Sequence, residues 1–167
     1  KATDQEGRLT FESDLWHGHY YVKEDQHLPG YLPNDEIWEI DATYEDQNLP
    51  AILLEKEVEN QPTESHFTKT DIVTGEPVEG AKLQILDEEG TVVREWITTK
   101  EEHLEYALPA GNYILHEELP PLEDGYVSAE DVSFEVKEDG TITKVEMKDD
   151  FQKWISAKRI LLEIPSL

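Results

Sequence analysis

Three side chains in this sequence have the types and placement to react with one another: Lys69, Glu117 and Asp149. Each lies in a run that alternates at period two, on the face that carries that run's apolar residues. Lys69 shares its face with Phe67, Glu117 with Tyr113 and Leu115, and Asp149 with Val145 and Met147. One inward polar residue on each of three strands would place an amine and two carboxyls in a dry core, if those strands are neighbours. Burial disfavours charge, lowering an amine's pKa and raising those of carboxyls. A neutral amine is a nucleophile, and a protonated carboxyl is an electrophile. Lys69 would attack the carboxyl carbon of Asp149, Glu117 would polarise the carbonyl and relay protons, and water would leave. The plainer alternatives are a buried ion pair that never reacts, or a Lys69 on a sheet edge with its amine turned out to solvent.

The elements that must hold these residues are strands. Residues 65–87, SHFTKTDIVTGEPVEGAKLQILD, read as strand, turn, strand, with Thr74-Gly75-Glu76-Pro77 supplying the turn chemistry. Five more strand-like runs follow, at 92–98, 104–108, 112–118, 132–137 and 141–149. The breaks fall at 88–90, 109–111, 120–125 and 138–140, all of them Gly- or Pro-containing. No window shows a helical period. Short strands with a turn about every ten residues predict a sandwich or barrel.

Residues 1–60 read as a related domain lacking its beginning. Strands are expected at 8–12, 18–24, 36–41 and 52–60, with Gln61-Pro62-Thr63 as a linker. The halves repeat each other. GHYYVKE at 18–24 matches GNYILHE at 111–117, LPGY at 28–31 matches EDGY at 123–126, and EIWEI at 36–40 matches VSFEV at 132–136. Tandem β units of this kind predict a rod of repeats. The tail, 152–167, is more basic and irregular, and reads as the start of a further repeat or a cloning remnant.

Composition narrows the function. Of 167 residues, 39 are acidic and 14 basic, a formal charge of −25. Nucleic acid and anionic membrane both call for a basic patch, so neither is an expected partner. There is no cysteine, which removes disulfides, thiolate nucleophiles and cysteine-ligated zinc. No apolar run reaches the length of a membrane span, so no membrane insertion is expected in this segment. The start at Lys1 without methionine suggests a processed or cut piece of something longer.

In order and spacing, 65–150 resembles the CnaB-type, or SpaA-type prealbumin-like, domains of Gram-positive surface adhesins and pilins. The resemblance rests on FTKTD at 67–71, TGEPVEGA at 74–81, REW at 94–96, LPAGNYILHEELPP at 108–121, GY at 125–126 and VEMKD at 145–149. Over 1–60 it covers the central and last parts only. It implies an all-β chain of tandem Ig-like, prealbumin-like β-sandwiches: an incomplete unit at 1–62, a complete one at 63–151, and the tail. It further implies a spontaneous isopeptide bond between a first-strand lysine and a last-strand Asn or Asp, assisted by a glutamate. By motif position these are Lys69, Asp149 and Glu117; Glu118 and Asp150 are near misses that alternation turns outward. In the first unit only Glu24 and Asn60 match, a vestigial site whose lysine strand is missing.

The expected role is a stalk or spacer outside the cell, on the wall of a Gram-positive bacterium. Its partners would be neighbouring repeats of the same polypeptide, and its chemistry a single self-directed turnover without cofactor or metal. The alternative is a module that binds a host surface protein or glycan. Trp16, Trp38 and Trp96 could stack on sugars, but core or half-buried packing is the expectation. The six histidines show no tight ligand spacing; His17 and His19 share a face and are expected at the surface. The 87–89 acidic cluster is read as a solvated turn rather than a calcium site.

Overall fold

The computed structural model describes residues 1–10, 16–43, 56–121 and 126–150. Two compact units emerge, one comprising Lys1–Leu28 with Pro33–Gln61, the other Pro29–Leu32 with Pro62–Leu167. The chain is all-β; no helix occurs among the described residues.

The first unit contains β1 (Gly18–Lys23) and β2 (Ile37–Ala42), paired antiparallel with Tyr20 opposite Ile40 and Val22 opposite Trp38. Trp38 is its buried apolar anchor. The strand expected at 52–60 is corrected in part. Residues 56–60 form no strand and are all exposed, and 52–55 lie outside the described residues. Lys56, Glu57, Glu59 and Asn60 leave Val58 as the one apolar side chain, so neither face of that run could be buried. The strand expected at 8–12 is absent over 8–10, and 11–12 are outside the described residues, as is the tail 152–167.

Among the described residues the second unit holds seven strands: β3 (Glu64–Asp71), β4 (Lys82–Leu86), β5 (Val92–Ile97), β6 (His103–Tyr106), β7 (Gly111–Leu119), β8 (Val132–Val136) and β9 (Thr143–Asp149). They match the seven runs expected from the pattern. One sheet has the order β6-β3-β9, the other β5-β4-β7-β8. The two strands flanking the 72–81 turn therefore do not pair with each other. β3 joins one sheet and β4 the other, with the bridge Thr70–Pro77 marking the departure. β3 and β9 run parallel, whereas every other pairing is antiparallel. Perfect alternation of burial along β3 follows from the period-two chain. The inward faces interdigitate as Phe67, Ala81, Leu83, Ile85, Leu108, Tyr113, Leu115, Val136, Val145 and Met147. Burying a side chain such as Leu83 or Leu115 stabilises the unit by about 1.5–3 kcal/mol each.

The β7–β8 hairpin sets Tyr113 opposite Phe134, and these rings stack at 5.6 Å. The β1–β2 hairpin of the first unit uses the matching segments but is displaced by two residues, since Gly18 faces Ala42 while Gly111 faces Val136. A shift of two preserves the face of every side chain, which is why the sequence repeat survives it. Of the match to LPGY at 123–126, residues 123–125 lie outside the described residues. In LPGY itself, Tyr31 bridges Pro62, and Gly30 O accepts from Thr63 N at 2.9 Å. Gly30 has φ +87°, and a Cβ there would overlap the backbone carbonyl of Ala107. Gly30→Ala is expected to destabilise the second unit by about 1–3 kcal/mol, the usual cost of a strained backbone. An unchanged denaturation midpoint would contradict that placement.

Candidate functional site

Lys69 sits on β3 between Phe67 and Asp71, all three inward and buried. The parallel register sets Lys69 beside Met147 and Asp71 beside Asp149. Asp149 is thus one pleat repeat further along, within reach of the flexible lysine stem. Nζ of Lys69 donates to Oδ1 of Asp149 at 2.6 Å. Glu117 arrives from β7, in the opposite sheet, and its Oε1 stands 2.9 Å from the same Nζ. All three side chains are 0% solvent-exposed. The structure brings the three sequence-derived residues into one cluster and rules out the edge position for the Lys69 amine.

The hydrogen bonding around the cluster is uneven. Oε2 of Glu117 accepts from Ala129 N at 2.6 Å, whereas Oε1 meets Lys69 as an ion pair without an aligned hydrogen bond. Oδ2 of Asp149 is buried and has no hydrogen-bond partner among the described residues. Burial pushes the Asp149 carboxyl up; Lys69 opposes this, while Glu117 and Asp71 add to it. The site thus holds a carboxyl whose acid form burial favours within hydrogen-bond reach of an amine, shielded from water.

Glu118 and Asp150 are exposed, as alternation implies. Glu118 spends its carboxylate on Lys82 at 2.7 Å. In the first unit Glu24 accepts from Asn34 N at 3.3 Å, while Asn60 is exposed and on no strand. Those two residues form no cluster among the described residues. Trp96 is half-buried and stacks on His103 at 4.1 Å, but Trp16 is 87% exposed. Trp16 stands ahead of β1 on no strand face, which corrects the packing expected for it. His17 and His19 are at the surface, the latter beside Glu39 and Asp41. Asp87 caps its own turn by accepting from Glu89 N and Thr91 N. No group of three or more metal-ligating side chains occurs among the described residues.

Sequence reasoning missed Asp71, Tyr126 and the amide of Ala129. The signal for Asp71 was present, because the alternation that turns Lys69 inward does the same two residues later. Tyr126 donates to Oδ2 of Asp71 at 3.2 Å from a segment with no strand period to point it there.

A family model described as SpaA, prealbumin-like fold domain, matches residues 63–150. Among solved structures, the chain is similar to the Bacillus anthracis TIE protein, with 31% identity over 81% of this chain and 25% of that one, and a TM-score of 0.54. It is also similar to a variant of BcpA, the major pilin subunit of Bacillus cereus, at 28% identity, covering 52% of this chain and 28% of that one, TM-score 0.45. The Streptococcal ancillary pilin is 23% identical, with 81% and 43% covered and a TM-score of 0.42. The chain thus spans less than half the length of each of these structures. No curated protein sequence matches it.

Proposed function

Since the chain belongs to the SpaA prealbumin-like fold family through residues 63–150, we propose that it is a structural stalk segment of a bacterial cell-surface adhesin or pilus-like protein, closed by a Lys69–Asp149 isopeptide bond. The observation that carries this reading is the solvent-free contact of one amine with two carboxyls. Its setting is extracellular, on the wall of a Gram-positive bacterium, and its neighbours are further repeats of the same polypeptide.

The chemistry is one self-directed turnover, so the segment is not an enzyme in the ordinary sense. The Lys69 ammonium gives one proton to Asp149, leaving an amine beside a carboxylic acid. The amine nitrogen attacks Cγ of Asp149, forming the N–C bond as the carbonyl opens. Glu117 takes a proton from that nitrogen and returns it to the departing hydroxyl. The C–O bond breaks, one water leaves, and an amide joins the side chains. Ammonium plus carboxylate equals amide plus water, so no co-reactant is needed. Pre-positioning in the folded core supplies the effective molarity that makes so sluggish a condensation practicable.

The position of the bond suits a load-bearing role. β3 opens the unit and β9 closes it, side by side and parallel. Tension entering at β3 would cross from Lys69 to Asp149 and leave, bypassing everything between.

The intact mass of the denatured protein tests the bond. The parent is expected one water lighter than its sequence, whereas Lys69→Ala and Glu117→Gln are expected at their full calculated masses. A full mass for the parent would overturn the bond and leave a buried ionic cluster.

A further inference from the structure

Asp71 and Asp149 are register partners on adjacent parallel strands, both inward and both buried, yet their surroundings are opposite. Asp71 is saturated with donors. Its Oδ1 accepts from Val73 N at 2.9 Å, Thr74 N at 2.7 Å and Thr74 Oγ1 at 3.1 Å, and its Oδ2 from Tyr126 OH at 3.2 Å. Four donors and no acceptor hold a carboxyl in its ionised form. Asp149 has the Lys69 amine on Oδ1 and, among the described residues, no hydrogen-bond partner on Oδ2. Two neighbouring carboxyls in such unlike settings divide the protonation states between them.

We propose that Asp71 is a positioning residue for the Lys69–Asp149 condensation: a fixed negative charge, opposite Asp149 in the parallel register, that selects the acid form of Asp149 and so places the leaving hydroxyl on Oδ2. This rests on the isopeptide reading above. Asp149 is the register partner of Asp71 on the adjacent strand, and the Asp71 charge adds to the rise of its carboxyl. The groups facing Asp149 are Lys69 and Asp71 on β3 and Glu117 on β7; those facing Asp71 are Tyr126 and Asp149. Burial raises the Asp149 carboxyl, and hydrogen bonds from Thr74 and Val73 lower that of Asp71, in keeping with this division.

The test follows bond formation in the full chain made by cell-free synthesis, chased into buffers of different pH, quenched in denaturant and weighed. The comparison is between parent and Asp71→Asn. The amide oxygen of Asn can still accept from Val73 and Thr74, so the turn keeps its cap while the charge is lost. The expected result is a plateau rate about tenfold lower and an acid limb displaced to lower pH by about one unit, since removing the negative charge beside Asp149 removes one of the causes that raise its carboxyl. An unchanged rate and limb would make Asp71 a turn cap and overturn the proposal. A slower rate with an unmoved limb would also overturn it, by assigning the loss to geometry. If the parent itself never loses water, the isopeptide reading has failed, and that result is separate from either outcome for Asp71.

Discussion

Lys69→Ala is expected to be less stable than the parent by roughly 7–9 kcal/mol at neutral pH, from two sources. The first is the proposed covalent link. Lys69 and Asp149 are 80 residues apart, and closing a loop of that size restricts the unfolded chain by about 4 kcal/mol if the disulfide relation carries over. The second is the pair of carboxyls left behind in a 0%-exposed site without their cation. Removing one partner of a buried ionic group costs about 3–5 kcal/mol. Together these approach the whole stability of a typical domain, so the variant is expected to be largely unfolded under mild denaturant. Glu117→Gln separates the two contributions. It stops proton relay but leaves Lys69 opposite Asp149, so its loss is expected to be near the link value of about 4 kcal/mol. Equal denaturation midpoints for the two variants would refute this division.

The pH dependence of Lys69→Ala has a definite sign. In the uncrosslinked site burial already raises the Asp149 carboxyl, against the pull of Lys69. Deleting the lysine removes that pull and raises it further. An acid whose folded pKa exceeds its unfolded value binds more protons folded than unfolded. Stability then falls as pH climbs from the ordinary value of 3.8 through the raised one. Lys69→Ala is therefore expected to regain stability on acidification across that window. Asp71 titrates the other way. Its carboxyl is lowered, chiefly by the Thr74 amide, so its contribution is present above the ordinary value and fades as pH falls through the folded one.

Pulling single molecules from both ends should show the second large effect. With the bond formed, the load path runs along β3 to Lys69, across the amide and out through Asp149. The 80-residue separation then stays locked, and roughly 260–290 Å of chain, at 3.3–3.6 Å per residue, never extends. Glu117→Gln is expected to release that length in a discrete step at moderate force. The parent is expected to show no such step before covalent rupture. A step of the full length in the parent would refute the bond and the load-bearing role together. Parallel terminal strands alone, sheared along their hydrogen bonds, would slow the release but could not abolish it.

Much of the second unit was legible from residue order, because period-two alternation is a local property of the chain. Phe67-Lys69, Tyr113-Leu115-Glu117 and Val145-Met147-Asp149 each declare their inward face without reference to any partner. The seven strands, the turns at Thr74-Gly75 and 109–111, and the outward positions of Glu118 and Asp150 follow from the same rule and from turn chemistry. Alternation without enough apolar residues to bury misled, as at 56–60, where charge outweighs the single valine.

What period two leaves open is which strand lies beside which, since pairing and register are set by contacts far apart in sequence. Only the tertiary structure decided that β3 leaves β4 for the opposite sheet and pairs with β9 in parallel. Only there does Glu117 reach Lys69 across the core, and only the register sets Asp71 beside Asp149 in contrasting surroundings. Sequence by itself determined that an amine and two carboxyls face inward. The fold decided that they meet, because burial is read along one strand and proximity is a property of several.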